Sequence, residues 1–296
     1  MKEVSVIPHP RLGVLMSDVA ELTKARLSLL VLITTLVGFL LGWRGPMNYL
    51  LLTATLVGTA FCAAGAAALN QWWERDLDAK MQRTKDRPLP AGRIHPSDAL
   101  LFGVLLALLG LAILGIFTNV RSAFLAFATI AIYVLVYTPL KRMTSLNTLV
   151  VAIPGALPPL IGWVAARGTY NLEGCLLFAI LWFWQMPHFL AIAWMYRDDY
   201  ATAGCKMLPG DDPTGAMTAR QALLYTLCLV LVSLLPALMG FNNVWGFFGA
   251  LILGGLFLAA SVAFLKSRER QVARTLFLAS IAYLPVMLGL LVATRR

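Results

Sequence analysis

Charge is the scarcest property of this 296-residue chain, in which only 13% of the residues are Asp, Glu, Lys or Arg. A soluble globular domain carries about 25% charged residues, so this composition excludes an ordinary soluble enzyme as well as a disordered tail. Hydrophobic residues make up 59% of the chain, and the mean hydropathy is +0.78. This balance indicates a polytopic membrane protein.

Cysteine and histidine are also scarce, with 4 and 3 residues respectively. The cysteines have no CxxC spacing, and three of them (Cys62, Cys175 and Cys228) fall in long apolar segments. A disulfide framework and a zinc site are therefore not expected. The first 25 residues are polar, and no small-residue cleavage site follows the first apolar run, which argues against a cleavable signal.

Long apolar runs fill most of the chain. A helix that crosses a bilayer needs about 20 mostly apolar residues, and nine segments meet this requirement. We therefore predict an all-α polytopic membrane protein with nine transmembrane helices around a central cavity. The predicted spans are 27–43, 47–69, 98–117, 121–138, 146–164, 172–196, 217–239, 244–265 and 272–293. Residues 1–296 are predicted to form one transmembrane domain, with an N-terminal segment over 1–25 and long functional connections over 71–97 and 197–216.

The basic residues fall mainly on one side of this predicted arrangement. If the N-terminus is cytoplasmic and the spans alternate, 19 of the 24 Lys and Arg residues face the cytoplasm and 5 face the other side. Positive charge is enriched on the cytoplasmic side of membrane proteins. The net charge of +10 therefore indicates topology, so the lipid bilayer is the expected partner and nucleic acid is not.

The acidic residues give a sharper signal than the basic ones. In the same arrangement 13 of the 14 acids are cytoplasmic, although the positive-inside rule does not require acids to take a side. Eight of them form two clusters after the second and sixth spans: Glu74, Asp76, Asp78 and Asp86, then Asp198, Asp199, Asp211 and Asp212. Long connections with their own charge pattern are usually functional; solvated linkers are the alternative.

The first cluster carries a carboxamide and two carboxylates at regular spacing. Asn70, Glu74 and Asp78 lie four residues apart, so they share one face of a helix that continues out of the second span. Such oxygen ligands suit Mg²⁺, which is typically bound by one or two carboxylates together with substrate phosphates. Bases suited to the phosphate oxygens follow directly: Arg83, Lys85, Arg87 and Arg93. The alternative is a helix stabilised only by salt bridges, for example with Lys80.

The second cluster lies four spans later, which suggests an internal duplication. If both acidic connections face one cavity, Asp198 and Asp199 would complete a two-metal clamp on one diphosphate. Lys141 and Arg142 lie at the same predicted level, between spans 4 and 5. They are either topology anchors or further ligands of the anion.

Polar groups inside the sixth span are the remaining candidates. Gln185 and His188 lie within it, and intramembrane polar residues are functional candidates by default. A histidine that is only hydrogen-bonded within the helix bundle is the alternative. In the fifth span, we expect Pro154, Pro158 and Pro159 to break the regular helix.

At these residues the chain resembles the UbiA superfamily of intramembrane prenyltransferases. The first motif of that superfamily is an asparagine followed at four-residue intervals by two acids. Asn70, Glu74 and Asp78 match it, with Glu74 where Asp is the common residue. Within the superfamily the chain is similar to the branch that farnesylates haem. The matching runs are DAKMQRTKDRP, YTPLKRMTSLNT, GALPPLIGW, and WQMPHF followed by DDY, AG and MLP.

The resemblance implies a farnesyl transfer from farnesyl diphosphate to a vinyl group of haem B, with water added to the vinyl carbon. Haem B is then a substrate, and Mg²⁺ is the cofactor. The implied metal ligands and catalytic residues are Asn70, Glu74, Asp78, Asp198 and Asp199. The implied diphosphate ligands are Arg83, Lys85, Arg87, Lys141 and Arg142. His188, with Gln185 nearby, is the expected haem contact, or else His188 orients Asp198 or the metal.

The resemblance also implies a place in the cell. The expected location is the bacterial inner membrane, with the active site facing the cytoplasm, and the expected partners are haem A synthase or terminal oxidase assembly factors.

The chain departs from the family pattern at two points. The second motif of the superfamily has two acids four residues apart, whereas Asp198 and Asp199 are adjacent. Cys205 and Lys206 replace an aliphatic residue and a proline of the branch.

Three other functions compete with this interpretation. A prenyltransferase of the same superfamily could act on a quinone precursor or chlorophyllide, against which the branch-specific runs argue. A transporter carries its charged residues near the bilayer centre, whereas the acids here lie at the predicted membrane rim. A CDP-alcohol phosphotransferase needs a DG…AR…G…D…D pattern that this sequence lacks.

Overall fold

The computed structural model describes residues 12–202 and 204–296, so the first eleven residues of the predicted N-terminal segment lie outside it. Within these ranges nine helices are long and apolar enough to cross a membrane, and no strand is present. The predicted all-α fold with nine spans is therefore confirmed, and the chain is an integral membrane protein. The cytoplasmic location of the N-terminus stays a prediction.

The described residues form twelve α-helices, one π-helical segment and one 3₁₀ turn. In chain order they are α1 (Leu12–Leu22), α2 (Ala25–Gly42), α3 (Tyr49–Asp78), α4 (Pro96–Phe117), α5 (Val120–Ala131), the π-helical segment (Ile132–Tyr137), α6 (Thr138–Leu140), α7 (Asn147–Arg167), α8 (Leu172–Met195), α9 (Arg197–Thr202), the 3₁₀ turn (Leu208–Gly210), α10 (Ala216–Leu238), α11 (Val244–Ser267) and α12 (Arg270–Ala293). The fourth span combines α5, the π-helical segment and α6.

Eight of the nine membrane-spanning segments described form two groups of four, and α2 belongs to neither. In the first group α3 packs on α4, and α5 packs on α4 and α7; in the second, α8 packs on α10, and α11 packs on α10 and α12. In both groups the first helix also contacts the last. The chain therefore follows the same course twice, in agreement with the duplication suggested by the two acidic connections. Contacts between α7 and α8 join the groups, and α2 packs mainly on α7.

Two glycines allow α2 and α7 to pack closely. A Cβ atom at Gly38 would overlap the backbone of Pro159, and one at Gly162 would overlap the backbone oxygen of Thr35. Close approach through small residues is the usual way in which membrane helices gain packing energy. This contact fixes α2 relative to α7, which is itself packed inside the bundle.

The interruption predicted for the fifth span is wrong. α7 is one continuous helix although it contains Pro154, Pro158 and Pro159. Most of α7 is buried inside the protein, more than any other membrane-spanning helix described. Each proline removes one N–H donor, but neighbouring helices packed on most sides allow a membrane helix to tolerate this loss.

Irregular backbone lies instead in the fourth span. Residues 132–137 form a π-helical segment, a rare conformation that is frequent at functional sites. Tyr133 and Tyr137 on this segment stack with ring centroids 5.6 Å apart. The wider turn therefore brings two phenol rings side by side near the end of α3.

One member of the second acid cluster stabilises a helix. Asp212 is buried, and its Oδ2 accepts hydrogen bonds from the backbone N–H of Thr218 at 2.7 Å and from its Oγ1 at 2.9 Å. These bonds satisfy one of the free N–H groups in the first turn of α10. Burial alone would raise the pKa of Asp212, but the bonds from Thr218 outweigh it and lower that pKa below its ordinary value.

We expect Asp212→Ala to lower the free energy of unfolding by about 1 kcal/mol, the usual value of a capping side chain. Because the folded pKa is lowered, this stabilisation is present above about pH 4 and is lost as the pH falls through the folded pKa. Thermal unfolding of the purified protein at several pH values measures both effects. Asp211→Ala is the matched control, since the Asp211 side chain is exposed; equal destabilisation by both variants would contradict the capping role.

Candidate active site

The last three turns of α3 carry the candidate ligands on a buried face. Asn70, Glu74 and Asp78 are 0%, 6% and 1% exposed, whereas the side chain of Asp76 is 80% exposed. The four-residue spacing therefore places an amide and two carboxylates in a row inside the bundle. Buried charges are costly unless they are paired or bind a metal, so this row needs cations beside it.

Each of the three side chains has a basic partner from a different part of the chain. Lys24 Nζ donates to Asn70 Oδ1 at 2.6 Å, Lys141 Nζ lies 2.6 Å from Glu74 Oε1, and Arg87 Nη1 lies 2.7 Å from Asp78 Oδ2. Salt bridges are therefore present. The alternative to a metal site was a helix stabilised by salt bridges along its own exposed face, whereas these bases come from other parts of the chain. Three bases converge on the row from the turn before α2, from the connection after α3 and from the end of the fourth span.

One carboxylate oxygen of the row has neither a hydrogen-bond donor nor an ion-pair partner in the described part of the chain, namely the buried Oδ1 of Asp78. The buried Oε1 of Glu74 also lacks a hydrogen-bond donor of regular geometry, but Lys141 Nζ lies 2.6 Å from it and balances its charge. A buried acceptor without a partner costs about 1–3 kcal/mol, and more when it is charged. A hard cation such as Mg²⁺ satisfies such an oxygen, so the donor set fits this metal. Among the described residues no three His, Cys, Asp or Glu side chains converge, so amide and substrate oxygens would have to complete the ligand shell.

In the sequence Lys24 is only one of the basic residues before the first span, yet the structure places its side chain in the site. Lys24 has φ 48°, in the left-handed region that non-glycine residues rarely adopt, and its Nζ also lies 3.2 Å from the hydroxyl of Tyr133. Burial lowers the pKa of Lys24 to about 7, although Glu74 opposes this shift. No local pattern marks a lysine at positive φ, so only the three-dimensional arrangement identifies it.

The π-helical segment closes the other side of the row. Asn70 Nδ2 donates to Thr138 Oγ1 at 3.1 Å, and Lys141 Nζ lies 4.7 Å from the centre of the Tyr137 ring. Burial alone would lower the pKa of Lys141, but Tyr137 and Glu74 outweigh it and raise that pKa above its ordinary value. Lys141 is therefore a permanent cation beside Glu74.

The second connection contacts the first, but it does not bring its acids into the row. Asp198 has a side chain that is 97% exposed and lies 3.7 Å from Arg197, while Asp199 is half-buried. The guanidinium of Arg83 lies 5.9 Å from the ring centres of both Tyr196 and Tyr200. Both acidic segments therefore lie at the same end of the bundle.

The residues after α9 pack on the first site. Cys205 contacts the buried pair Leu77 and Met81, and burial raises the pKa of its thiol. The backbone N–H of Lys206 donates to the carbonyl of Lys141 at 2.8 Å. The departure from the branch pattern at Cys205 and Lys206 thus lies in a loop that docks beside the candidate ligands.

The predicted diphosphate ligands fall into two sets. Arg87 and Lys141 are half-buried and paired with carboxylates, as described above. Arg83, Lys85 and Arg142 are exposed at the same end of the bundle. Of the predicted diphosphate ligands, two therefore lie within the site, and three lie on the exposed surface at the same end of the bundle.

Gln185 and His188 face different neighbours of α8. The Gln185 amide donates to the carbonyls of Ala152 and Leu181 at 3.3 and 3.1 Å, at the contact with α7. His188 faces α12, where its Nδ1 lies 2.7 Å from Ser280 Oγ. The Gln185 amide N–H group is therefore committed to helix packing, whereas His188 keeps a second ring nitrogen.

Comparisons of the whole sequence with a family model and with curated proteins agree on one family. Residues 31–284 match the model of the UbiA prenyltransferase family. A curated relative, protoheme IX farnesyltransferase of Solibacter usitatus, is 45% identical over 289 residues, which cover 95% of this chain and 99% of the relative.

Solved structures agree in fold at low sequence identity. A structure of digeranylgeranylglyceryl phosphate synthase matches with a TM-score of 0.81 at 18% identity, covering 94% of this chain and 98% of that one. A UbiA homologue from Archaeoglobus fulgidus, solved with GPP and Mg²⁺ bound, matches with a TM-score of 0.67 at 16% identity, covering 93% and 99% of the two chains. The overall fold is therefore shared with these proteins.

Proposed function

The chain belongs to the UbiA prenyltransferase family, and we propose that it transfers the farnesyl group of farnesyl diphosphate to a vinyl group of haem B, giving haem O and diphosphate. The observation that carries this proposal is the 45% identity, over 95% of the chain, with a relative named protoheme IX farnesyltransferase. The buried row of Asn70, Glu74 and Asp78, surrounded by bases, supplies the chemistry that departure of a diphosphate requires.

In this proposal the row on α3 would hold Mg²⁺. Asn70, Glu74 and Asp78 would be its ligands from α3, and Asp198 and Asp199 would contribute from the second acidic connection. The metal supplies positive charge where negative charge grows on the leaving diphosphate. The unpartnered Oδ1 of Asp78 is the protein atom that most requires it.

The bases act on the same leaving group. Arg87 and Lys141, which pair with Asp78 and Glu74, donate to phosphate oxygens, and Lys24 adds a third donor. Arg83, Lys85 and Arg142, which are exposed at the same end of the bundle, bind the phosphate that lies farther from the farnesyl group. Charge-assisted hydrogen bonds of this kind are the strongest that side chains make with phosphate.

Bond cleavage and bond formation then follow in order. The bond between C1 of the farnesyl group and its oxygen breaks, and both electrons leave with the diphosphate. The apolar bundle keeps water away from the allylic cation. The terminal vinyl carbon of haem bonds to C1, water adds to the adjacent carbon, and one proton is released.

Haem is held in the same domain, formed by residues 1–296. His188 is the proposed contact with the haem iron, since imidazole is a common haem ligand. The proposed location is the bacterial inner membrane with the active site facing the cytoplasm, so that farnesyl diphosphate enters from the cytosol. Haem O then passes to haem A synthase or to terminal oxidase assembly factors.

Pigment extraction tests the reaction and the acceptor together. Cells that overexpress the full chain are expected to accumulate haem O, identified by its mass and spectrum, whereas cells with empty vector are not. Accumulation of a prenylated phenol or chlorophyll precursor without haem O would show that the acceptor is wrong. If the purified protein releases no diphosphate from farnesyl diphosphate with haem and Mg²⁺ present, transport becomes the better interpretation.

A further inference from the structure

The contact between α8 and α12 contains a buried hydroxyl that the proposed chemistry does not use. Ser280 on α12 is 0% exposed, and its Oγ lies 2.7 Å from Nδ1 of His188. The backbone carbonyl of the same serine accepts a hydrogen bond from Nε1 of Trp184 at 2.7 Å. Trp184 and His188 are one helical turn apart, so two side chains of α8 bind one residue of α12.

The hydrogen bonds of Ser280 define the proton on the His188 ring. A serine hydroxyl has a single hydrogen, and Ser280 Oγ donates it to the backbone carbonyl of Phe277 at 2.5 Å. A carbonyl only accepts, whereas His188 Nδ1 can donate or accept according to the tautomer of the ring. The Nδ1–H tautomer is therefore the one in which both contacts of the Ser280 hydroxyl are hydrogen bonds, and in it Ser280 Oγ accepts from Nδ1. Nε2 then carries the lone pair.

The ring is also held in place by its aromatic neighbours. Trp184 stacks on the imidazole with centroids 5.1 Å apart and an interplanar angle of 25°, and the Phe277 ring lies 5.0 Å away at 31°. In the described part of the chain Nε2 has no hydrogen-bond partner. A neutral imidazole with Nδ1–H bound and the Nε2 lone pair free is the form that binds a metal.

We propose that Ser280 is a positioning residue for haem: it fixes His188 in the Nδ1–H tautomer and directs the Nε2 lone pair to the haem iron. This inference rests on the proposed contact between His188 and haem. It differs from a packing role for Ser280, because a packing role requires no particular proton position on the histidine.

Titration of the purified full-length protein with ferric haem B tests the inference. Substitutions beside a metal-binding histidine typically weaken metal binding 10- to 100-fold. Ser280→Ala is therefore expected to raise the Kd for haem at least about tenfold and to change the absorption spectrum of bound haem. In turnover it is expected to raise the KM for haem and to leave the KM for farnesyl diphosphate unchanged.

Ser261→Ala is the matched control, because Ser261 is also fully buried and its hydroxyl lies 2.7 Å from Thr226 Oγ1, away from His188. It should change neither the spectrum nor either KM. If Ser280→Ala binds haem as the parent does while His188→Ala does not, the role of Ser280 is wrong and the haem contact stands. If His188→Ala binds haem with the parent's Kd and spectrum, the haem contact itself is wrong, and the inference fails with it.

Discussion

Replacing Asp78 with asparagine is expected to reduce turnover by about 10²–10³-fold, the usual cost of removing one group that stabilises charge in a transition state. Asp78 combines a buried oxygen that lacks a protein donor with a second oxygen bound to Arg87. Asparagine keeps the shape of the side chain but removes the negative charge that attracts Mg²⁺. Haem O formation by the purified variant, measured over a range of Mg²⁺ concentrations, gives the size of the loss.

The same substitution leaves Arg87 without its carboxylate, and breaking a buried ion pair often destabilises a protein. The double variant Asp78→Asn with Arg87→Gln removes both charges, and we expect it to restore the unfolding temperature but not the activity. Asp76→Asn is the matched control on the same helix, since the Asp76 side chain is 80% exposed. If Asp76→Asn loses as much activity as Asp78→Asn, the buried row is not the metal site.

The sequence predicted those parts of the molecule that depend on local regularity. Nine apolar runs of sufficient length specify nine helices, because a span requires about 20 apolar residues whatever its neighbours are. The four-residue spacing placed Asn70, Glu74 and Asp78 on one face, because helical periodicity alone determines it. The regular α7 was not predicted, because the effect of its prolines depends on how closely other helices pack around them.

Partners that are distant in the sequence were beyond this kind of reasoning. The contacts of Asn70 with Lys24 and of Glu74 with Lys141 span 46 and 67 positions, and nothing in the intervening residues encodes them. The π-helical segment was also missed, since its sequence, IYVLVY, is as apolar as an ordinary span. The structure leaves the side chain of Asp198 exposed, so its role as a metal ligand stays a proposal.

Lys24 is the clearest example of a site residue whose partners are distant in the sequence. We expect Lys24→Met to reduce kcat/KM for farnesyl diphosphate by about 100-fold. Its amine lies 2.6 Å from Asn70 Oδ1 and is buried near Glu74 and Asp78. Methionine has a similar length and no charge, so it can fill the same space, and Asn70 Oδ1, which loses its donor, keeps the contact with the Tyr133 hydroxyl at 3.4 Å. Initial rates at varied farnesyl diphosphate, with haem saturating, measure the effect.

Arg26→Met is the control for this prediction, because Arg26 lies two residues later and is exposed. The two possible roles of Lys24, orienting the chain in the membrane and binding the diphosphate, predict different results for these variants. If the basic residues before the first span serve only to orient the chain, both variants insert less efficiently and the inserted protein keeps its normal rate per molecule. If Lys24 binds the diphosphate, only Lys24→Met raises the KM for farnesyl diphosphate, and the KM for haem is unchanged in both. Equal rates per inserted molecule in the two variants would show that Lys24 does not bind the diphosphate. Its role would then be only that of a positive charge that orients the chain in the membrane.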